Sequence, residues 1–320
     1  MRVKDIEFVS ANHVIQEIKD MNVKGGSPFG RASAWAYKLA IQQERLTDLE
    51  AVFKRFAELS DQMHVLKPTM GTIHNTSSIV HGYLEKNADL PFDRLCKGIV
   101  RLCDNIIESS FKAVEVLSRY GGARVPDGGT VMMHSYSSTL MGCFASAAEA
   151  GKQFRVICTE SRPLRESRLA VDMLHKTGVK VTYITDAEVF EFLPAADMVL
   201  MGADSLSSDG SVANKMGTAL IARLAKGLKI PVYIASELYK YDTRTREGRP
   251  IELERRSAFE IISEGDFACG DPEVINQFFD LTPATDITAL ICEYGLIPTT
   301  LVASYWETLI NELMDGVERA

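Results

Sequence analysis

The chain has 320 residues, 46% of them apolar and 24% charged, with a net charge of −8. That length can build two domains. The acidic balance argues against a nucleic-acid binder that works by bulk electrostatics, and no apolar run approaches the roughly 20 residues of a membrane span. The first residues, MRVKDIEF, are charged and lack the apolar stretch of a secretory signal. Cys96, Cys103, Cys143, Cys158, Cys269 and Cys292 are scattered without CxxC spacing. They therefore read as reduced thiols of a cytoplasmic protein, not as a disulfide or zinc framework.

Residues 1–122 read as helical. VSANHVIQEIKDMN is amphipathic, with Val14, Ile15 and Ile18 on one side. Lys24-Gly25-Gly26-Ser27-Pro28 follows as a loop able to show bare backbone N–H groups, although an ordinary Gly-Pro turn explains it as well. Arg31 opens the next helix, with Trp35, Leu39 and Ile41. A helix from Thr47 to Gln62 starts with the capping-box spacing of Thr47 and Glu50. Lys67-Pro68-Thr69-Met70-Gly71 interrupts the pattern. Helices over 78–87 and 92–119 follow, the second periodic through Leu95, Ile99, Leu102, Ile106, Phe111 and Leu117. The cluster Gly121, Gly122, Pro126, Gly128 and Gly129 then marks a domain boundary.

From residue 123 onward short strands and helices alternate, as in a doubly wound α/β domain with a mostly parallel sheet. Strands are expected at 130–134, 155–158, 179–184, 197–202, 232–235 and 287–292. Helices are expected at 139–150, 164–176, 187–193 and 300–314, and another from Val212 through Leu224. Residues 242–286 are polar and turn-rich, and are expected to wrap an edge. In such a sheet the ligand sits beyond the carboxyl ends of the strands. Those ends carry Ser135 and Ser137, Glu160 and Arg162, Asp186, Asp204, and Glu237 with Lys240. Asn214 and Lys215 are placed at a helix opening, where free N–H groups favour an anion. Hydroxyls and carboxylates suit sugar OH groups, and Lys215, Lys240 and Arg162 suit phosphate. Helix caps and ion pairs account for several of these residues singly, and Ser137 in particular fits a cap. No GxGxxG follows a strand, so no dinucleotide is expected, and neither cofactor nor metal.

The stretches GADSLSSDGSVANKMGT, ICTESRPLRESR, ITDAEVFEFL, ASELYKY and FDLTP…CEYGLIP together resemble one superfamily. It contains methylthioribose-1-phosphate isomerases, archaeal ribose-1,5-bisphosphate isomerases and the alpha, beta and delta subunits of translation initiation factor 2B. The resemblance spans roughly residues 20–310. It implies a helical N-terminal domain (1–122) and a Rossmann-like C-terminal domain (123–320). It also implies a homodimer, or a hexamer built from dimers, with initiation-factor-like protein partners for some members.

Carried over to this chain, the resemblance gives Lys24-Gly25-Gly26 as a phosphate loop and Lys67 as a second phosphate contact, each with Lys where the isomerases have Arg. Asn214, Lys215 and the catalytic Asp204 match unchanged. The catalytic Cys of the isomerases falls on Ser135. A thiol with pKa of about 8.5 supplies some thiolate at neutrality; a serine hydroxyl needs a base bonded to it. His134 is its neighbour, but strand neighbours point to opposite faces. Two functions follow: an aldose–ketose isomerase of a phosphorylated pentose such as ribose 1,5-bisphosphate, or a non-catalytic regulatory subunit that senses a sugar phosphate or nucleotide.

Overall fold

The structure, a computed structural model, describes residues 6–268, 270 and 272–317; Cys269 lies outside the described residues. Five helices come first: α1 (Ala11–Lys19), α2 (Gly26–Gln43), α3 (Leu49–Leu66), α4 (Gly71–Lys86) and α5 (Phe92–Arg124). The apolar spacing drives them into one bundle, burying Val14, Ile18, Tyr37, Phe56, Leu59, Ile73, Ile99 and Leu102. Ser10 caps α1 by accepting from the His13 N–H.

Several boundaries differ from the sequence expectation. Asp48, not Thr47, caps α3 and accepts from the Ala51 N–H at 2.9 Å, so the capping box does not form. α2 starts at Gly26, not Arg31, and α4 at Gly71, not residue 78. α5 runs straight through Gly121 and Gly122. These glycines are there for close approach: a Cβ on Gly121 would overlap the Cys143 sulfur, and one on Gly122 would lie 2.8 Å from Ser146 Cβ. Lys152 closes the helix, its Nζ donating to the carbonyls of Gly122, Ala123 and Val125 at 2.9, 2.8 and 2.6 Å.

The rest is the α/β layer: β1 (Thr130–Met133), α6 (Ser138–Glu149), β2 (Arg155–Thr159), α7 (Ser167–Lys176), β3 (Lys180–Ile184), α8 (Val189–Phe192), β4 (Met198–Met201), β5 (Ser205–Leu206), β6 (Val212–Lys215), α9 (Thr218–Gly227), β7 (Val232–Ala235), β8 (Phe279–Thr282), β9 (Ala289–Cys292), β10 (Gly295–Ile297) and α10 (Val302–Met314). The main sheet has the order β10-β9-β7-β4-β1-β2-β3. It is parallel except for β10, which returns antiparallel to β9. Central β4 and β7 are buried at every position, as a sheet covered on both faces requires. The strand order reverses between β1 and β4, and the crevice of a doubly wound sheet lies at that reversal.

The largest departure is β6. Residues 212–215 were expected in a helix; they form a strand of a second, antiparallel sheet, β5-β6-β8. Their partners are residues 279–282, which local spacing does not reveal. α9 begins only after Gly217, at φ +109°. The segment 242–286 is mostly irregular, but β8 and the buried Phe278 and Phe279 bring its end into the core. Among the described residues no helix is long and apolar enough to cross a membrane.

Candidate active site

Asp204 follows β4 and Ser135 follows β1, so the two strands at the reversal deliver both residues to the same crevice. The Asp204 N–H donates to the Ala213 carbonyl at 2.9 Å, which ties the loop to β6. Burial raises its carboxyl above the usual carboxylate range, against the pull of Lys240 and then Lys215. Its proton is therefore held closer to neutrality than that of an exposed aspartic acid.

Lys240 ends a short 3₁₀ helix (Leu238–Lys240) after β7. Its ammonium is buried and donates to the Ala203 carbonyl at 2.7 Å. Burial lowers its pKa, while Asp204 and Glu237 act in the other direction. Two buried groups fix this turn. Asn75 of α4 donates from Nδ2 to the carbonyls of Tyr239 and Tyr241 at 2.8 and 2.6 Å. Glu293, just past β9, accepts from the Leu238 N–H at 3.0 and 3.1 Å.

Burial pushes the Glu293 carboxyl up to about 8. A raised carboxyl favours the folded state while protonated. Its contribution is complete below the unfolded value of about 4.3 and is lost as pH rises through the folded one. Stability should therefore fall between those pH values, with a slope of at most about 1.4 kcal/mol per pH unit from this group. Glu293→Gln should flatten that fall. Thermal midpoints from pH 5 to 9 check it, and parallel curves for the two proteins would rule it out.

The start of α2 closes the site from the bundle side. A Cβ on Gly26 would sit 2.9 Å from Lys240 Cε and 3.3 Å from the Asp204 carbonyl oxygen, so only glycine lets the helix come this near. Gly25, at φ +92°, precedes it without a side-chain cap. The buried Ser27 hydroxyl has no hydrogen-bond partner among the described residues. Lys67 is buried, 3.7 Å from Glu254 Oε1, and burial lowers its pKa.

Asn214 and Lys215 reach the site from β6, not from a helix opening. Asn214 Nδ2 donates to Thr218 Oγ1 at 2.9 Å. Lys215 is buried, with Nζ 2.6 Å from Glu166 Oε1 and 3.2 Å from the centre of the Phe278 ring. Burial lowers its pKa, opposed by Glu166. The N–H groups at the true opening of α9 are taken internally: Asp280 Oδ2 accepts from Gly217 and Ala219 at 2.7 and 3.1 Å.

Ser135 stands at φ +65°, a left-handed backbone that is uncommon for serine. Its N–H donates to Ser161 Oγ at 2.7 Å. His134 does not serve it. His134 Nε2–H donates to the Met216 carbonyl at 2.9 Å, which leaves Nδ1 to accept from Thr159 Oγ1 at 2.6 Å. Burial disfavours its charged form. Ser137 is an N-cap, accepting from the Leu140 N–H.

Asp204, Lys240, Gly26, Lys215 and Lys67 thus converge. The Lys24 and Arg162 side chains, also singled out in the sequence, are exposed, and the Arg162 backbone N–H donates to Asp186 Oδ2 at 2.8 Å. Sequence reasoning missed Glu166, Glu254, Arg256, Phe278 and Asn75. Only Glu166 carried a signal, by lying in the ICTESRPLRESR stretch; the others sit in segments with no local pattern to mark them. No group of three or more His, Cys, Asp or Glu among the described residues is placed to hold a metal.

Residues 22–299 match the model of the initiation factor 2 subunit family. The chain is 34% identical over 286 residues to a ribose 1,5-bisphosphate isomerase of Methanocaldococcus jannaschii, covering 88% of this chain and 90% of that protein. It is 30% identical over 311 residues to a methylthioribose-1-phosphate isomerase of Thermosipho africanus, covering 91% and 88%. Its fold is similar to that of a translation initiation factor eIF-2B from Pyrococcus horikoshii, with TM-score 0.75, 26% identity, and coverage of 90% of this chain and 96% of that one.

Proposed function

We propose, on the footing that this chain belongs to the initiation factor 2 subunit family, that it binds a phosphorylated pentose and acts on it as an aldose–ketose isomerase. The observation that carries this is Asp204: a carboxyl raised by burial, at the strand reversal, with Lys240 and Lys215 beside it. Its similarity to named ribose 1,5-bisphosphate isomerases agrees with that reading.

Each group has a role by its chemistry. The α2 start, with Gly25, Gly26 and Lys240, offers N–H groups and a cation to a phosphate. Asn214 and Lys215 face the sugar. Asp204 gives its proton to the ring oxygen as the bond from that oxygen to C1 breaks, and then, as carboxylate, takes the proton of the C2 hydroxyl while hydride passes from C2 to C1. Ser135 holds a hydroxyl of the substrate; with both His134 nitrogens engaged, it has no base to make it a nucleophile.

That last fact also favours a second reading. A pocket kept for a sugar phosphate or nucleotide, with no activated thiol or hydroxyl, suits a regulatory subunit in a dimer or dimer-based hexamer, and the likeness to an initiation factor supports it.

A thermal-shift panel of pentose phosphates and nucleoside monophosphates tests the proposal. A pentose phosphate should raise the midpoint, by a stabilisation of about 2.7 kcal/mol at a hundred times Kd, and Lys215→Ala should reduce the shift. Ser135→Cys should then raise turnover of that compound by at least about tenfold. If nucleotides alone bind and Ser135→Cys turns over no pentose phosphate, the regulatory reading replaces the enzymatic one.

A further inference from the structure

The Lys240 ammonium is buried and makes one hydrogen bond among the described residues, to the Ala203 carbonyl at 2.7 Å. Its other protons face the crevice where α2 begins, beside Gly26. A lysine in that position keeps its charge only where carboxylates compensate it. Asp204 is one such carboxylate. The chemistry proposed above, however, has Asp204 hold a proton at the start and give it up midway. While protonated, Asp204 compensates nothing.

Glu237 is a second carboxylate, and that chemistry does not use it. It follows β7 and opens the 3₁₀ turn that ends at Lys240, whose backbone N–H donates to the Glu237 carbonyl at 3.3 Å. Its side chain is fully buried. Oε2 accepts from Ser110 Oγ of α5 at 2.8 Å, and Ser110 Oγ accepts in turn from Arg31 Nη1 of α2 at 3.0 Å. Oε1 is shielded from water and has no hydrogen-bond partner among the described residues. A buried carboxylate in that state needs a cation within reach. Burial works against the Lys240 charge; Asp204 and then Glu237 work for it, and Arg31 works against it. Lys215 faces Asp204 from β6, and Glu293 faces Glu237 from the end of β9.

From these contacts we infer that Glu237 is a positioning residue, the standing counter-ion of Lys240. It keeps that ammonium ready for a phosphate whether Asp204 is protonated or ionised. Ser110 and Arg31 hold the carboxylate in place from the bundle side. Asp204 can then move a proton without switching off the cation beside it. This rests on the sugar-phosphate reading above and adds a residue to its phosphate end.

Glu237→Gln keeps the shape and an acceptor for Ser110 but removes the charge. Lys240 then gives up its proton at a lower pH, so affinity for a phosphate ester should fall as pH rises. Isothermal titration of the full chain with ribose 1-phosphate, ribose 5-phosphate and ribose 1,5-bisphosphate, from about pH 6 to about pH 9, reads this. Ionisation of the ligand is common to both proteins and cancels in the ratio of their Kd values. That ratio, variant over wild type, should stay within about threefold at the acid end and reach at least about tenfold at the alkaline end. Damaged packing alone would weaken binding equally at every pH. Glu237→Asp keeps the charge, and its ratio should not climb with pH. Thermal midpoints at each pH establish that the variants are folded; should the Gln variant not fold, the Asp ratio decides. A Gln ratio that is flat with pH, or an Asp ratio that climbs, overturns the inference and leaves the sugar-phosphate reading standing. If folded wild type binds none of the three at any pH, both fall.

Discussion

Asp204→Asn should lower kcat for the conversion of a phosphopentose by about 10²- to 10⁴-fold. Asparagine has nearly the same shape, and the backbone bond from residue 204 to the Ala213 carbonyl is untouched. So is the Lys240 bond to the Ala203 carbonyl. What disappears is a proton that the buried carboxyl holds closer to neutrality than usual. Binding should change little, because the amide keeps the shape of the protonated carboxyl beside Lys240 and Lys215. A fall in kcat with little rise in KM is the signature of a group that acts in the transition state. The wild-type pH profile should carry a limb from this carboxyl, and the variant should lack it. If kcat is unchanged, Asp204 is only a structural carboxylate and the proposed chemistry fails.

Asn75→Ala should cost about 2–4 kcal/mol, because it leaves two buried carbonyls without donors. Asn75 is fully buried in α4 and its amide nitrogen serves both Tyr239 and Tyr241. Those two residues flank Lys240, so a second effect follows. The turn that aims the ammonium loosens, and ligand binding weakens along with stability. Urea midpoints measure the first effect and titration of the preferred phosphopentose the second. A variant as stable as wild type would mean that the turn holds its shape without α4.

The sequence made the order of strands and helices from residue 130 legible, because each central strand is an apolar run and each helix a periodic one. It also named the strand ends that converge. It was blind where a contact spans a long separation. β6 forms because residues 212–215 meet 279–282, and the local apolar spacing fits a helix equally well. Asn75 reaches a turn 164 residues away, and nothing around either position announces the other. Gly121 and Gly122 read as part of a cluster that marks a domain boundary; in the structure they lie within α5, where they admit α6. The pairing of Lys215 with Glu166 shows a further limit. A residue type suggests phosphate, but its availability is set by what already occupies it.

The long helix α5 imposes a fixed gauge on the crevice. Ser110, midway along it, donates to Glu237, three residues before Lys240. Farther on, Gly121 and Gly122 seat α6, whose cap Ser137 would lie with its Cβ 3.0 Å from a Cβ on Gly202. The two walls of the crevice are therefore registered to two points on a single rod. One residue added between those points would turn one wall by about 100° around the rod axis and slide it by about 1.5 Å relative to the other. Loops around the site can lengthen and keep its width; this span of helix cannot change its count by one.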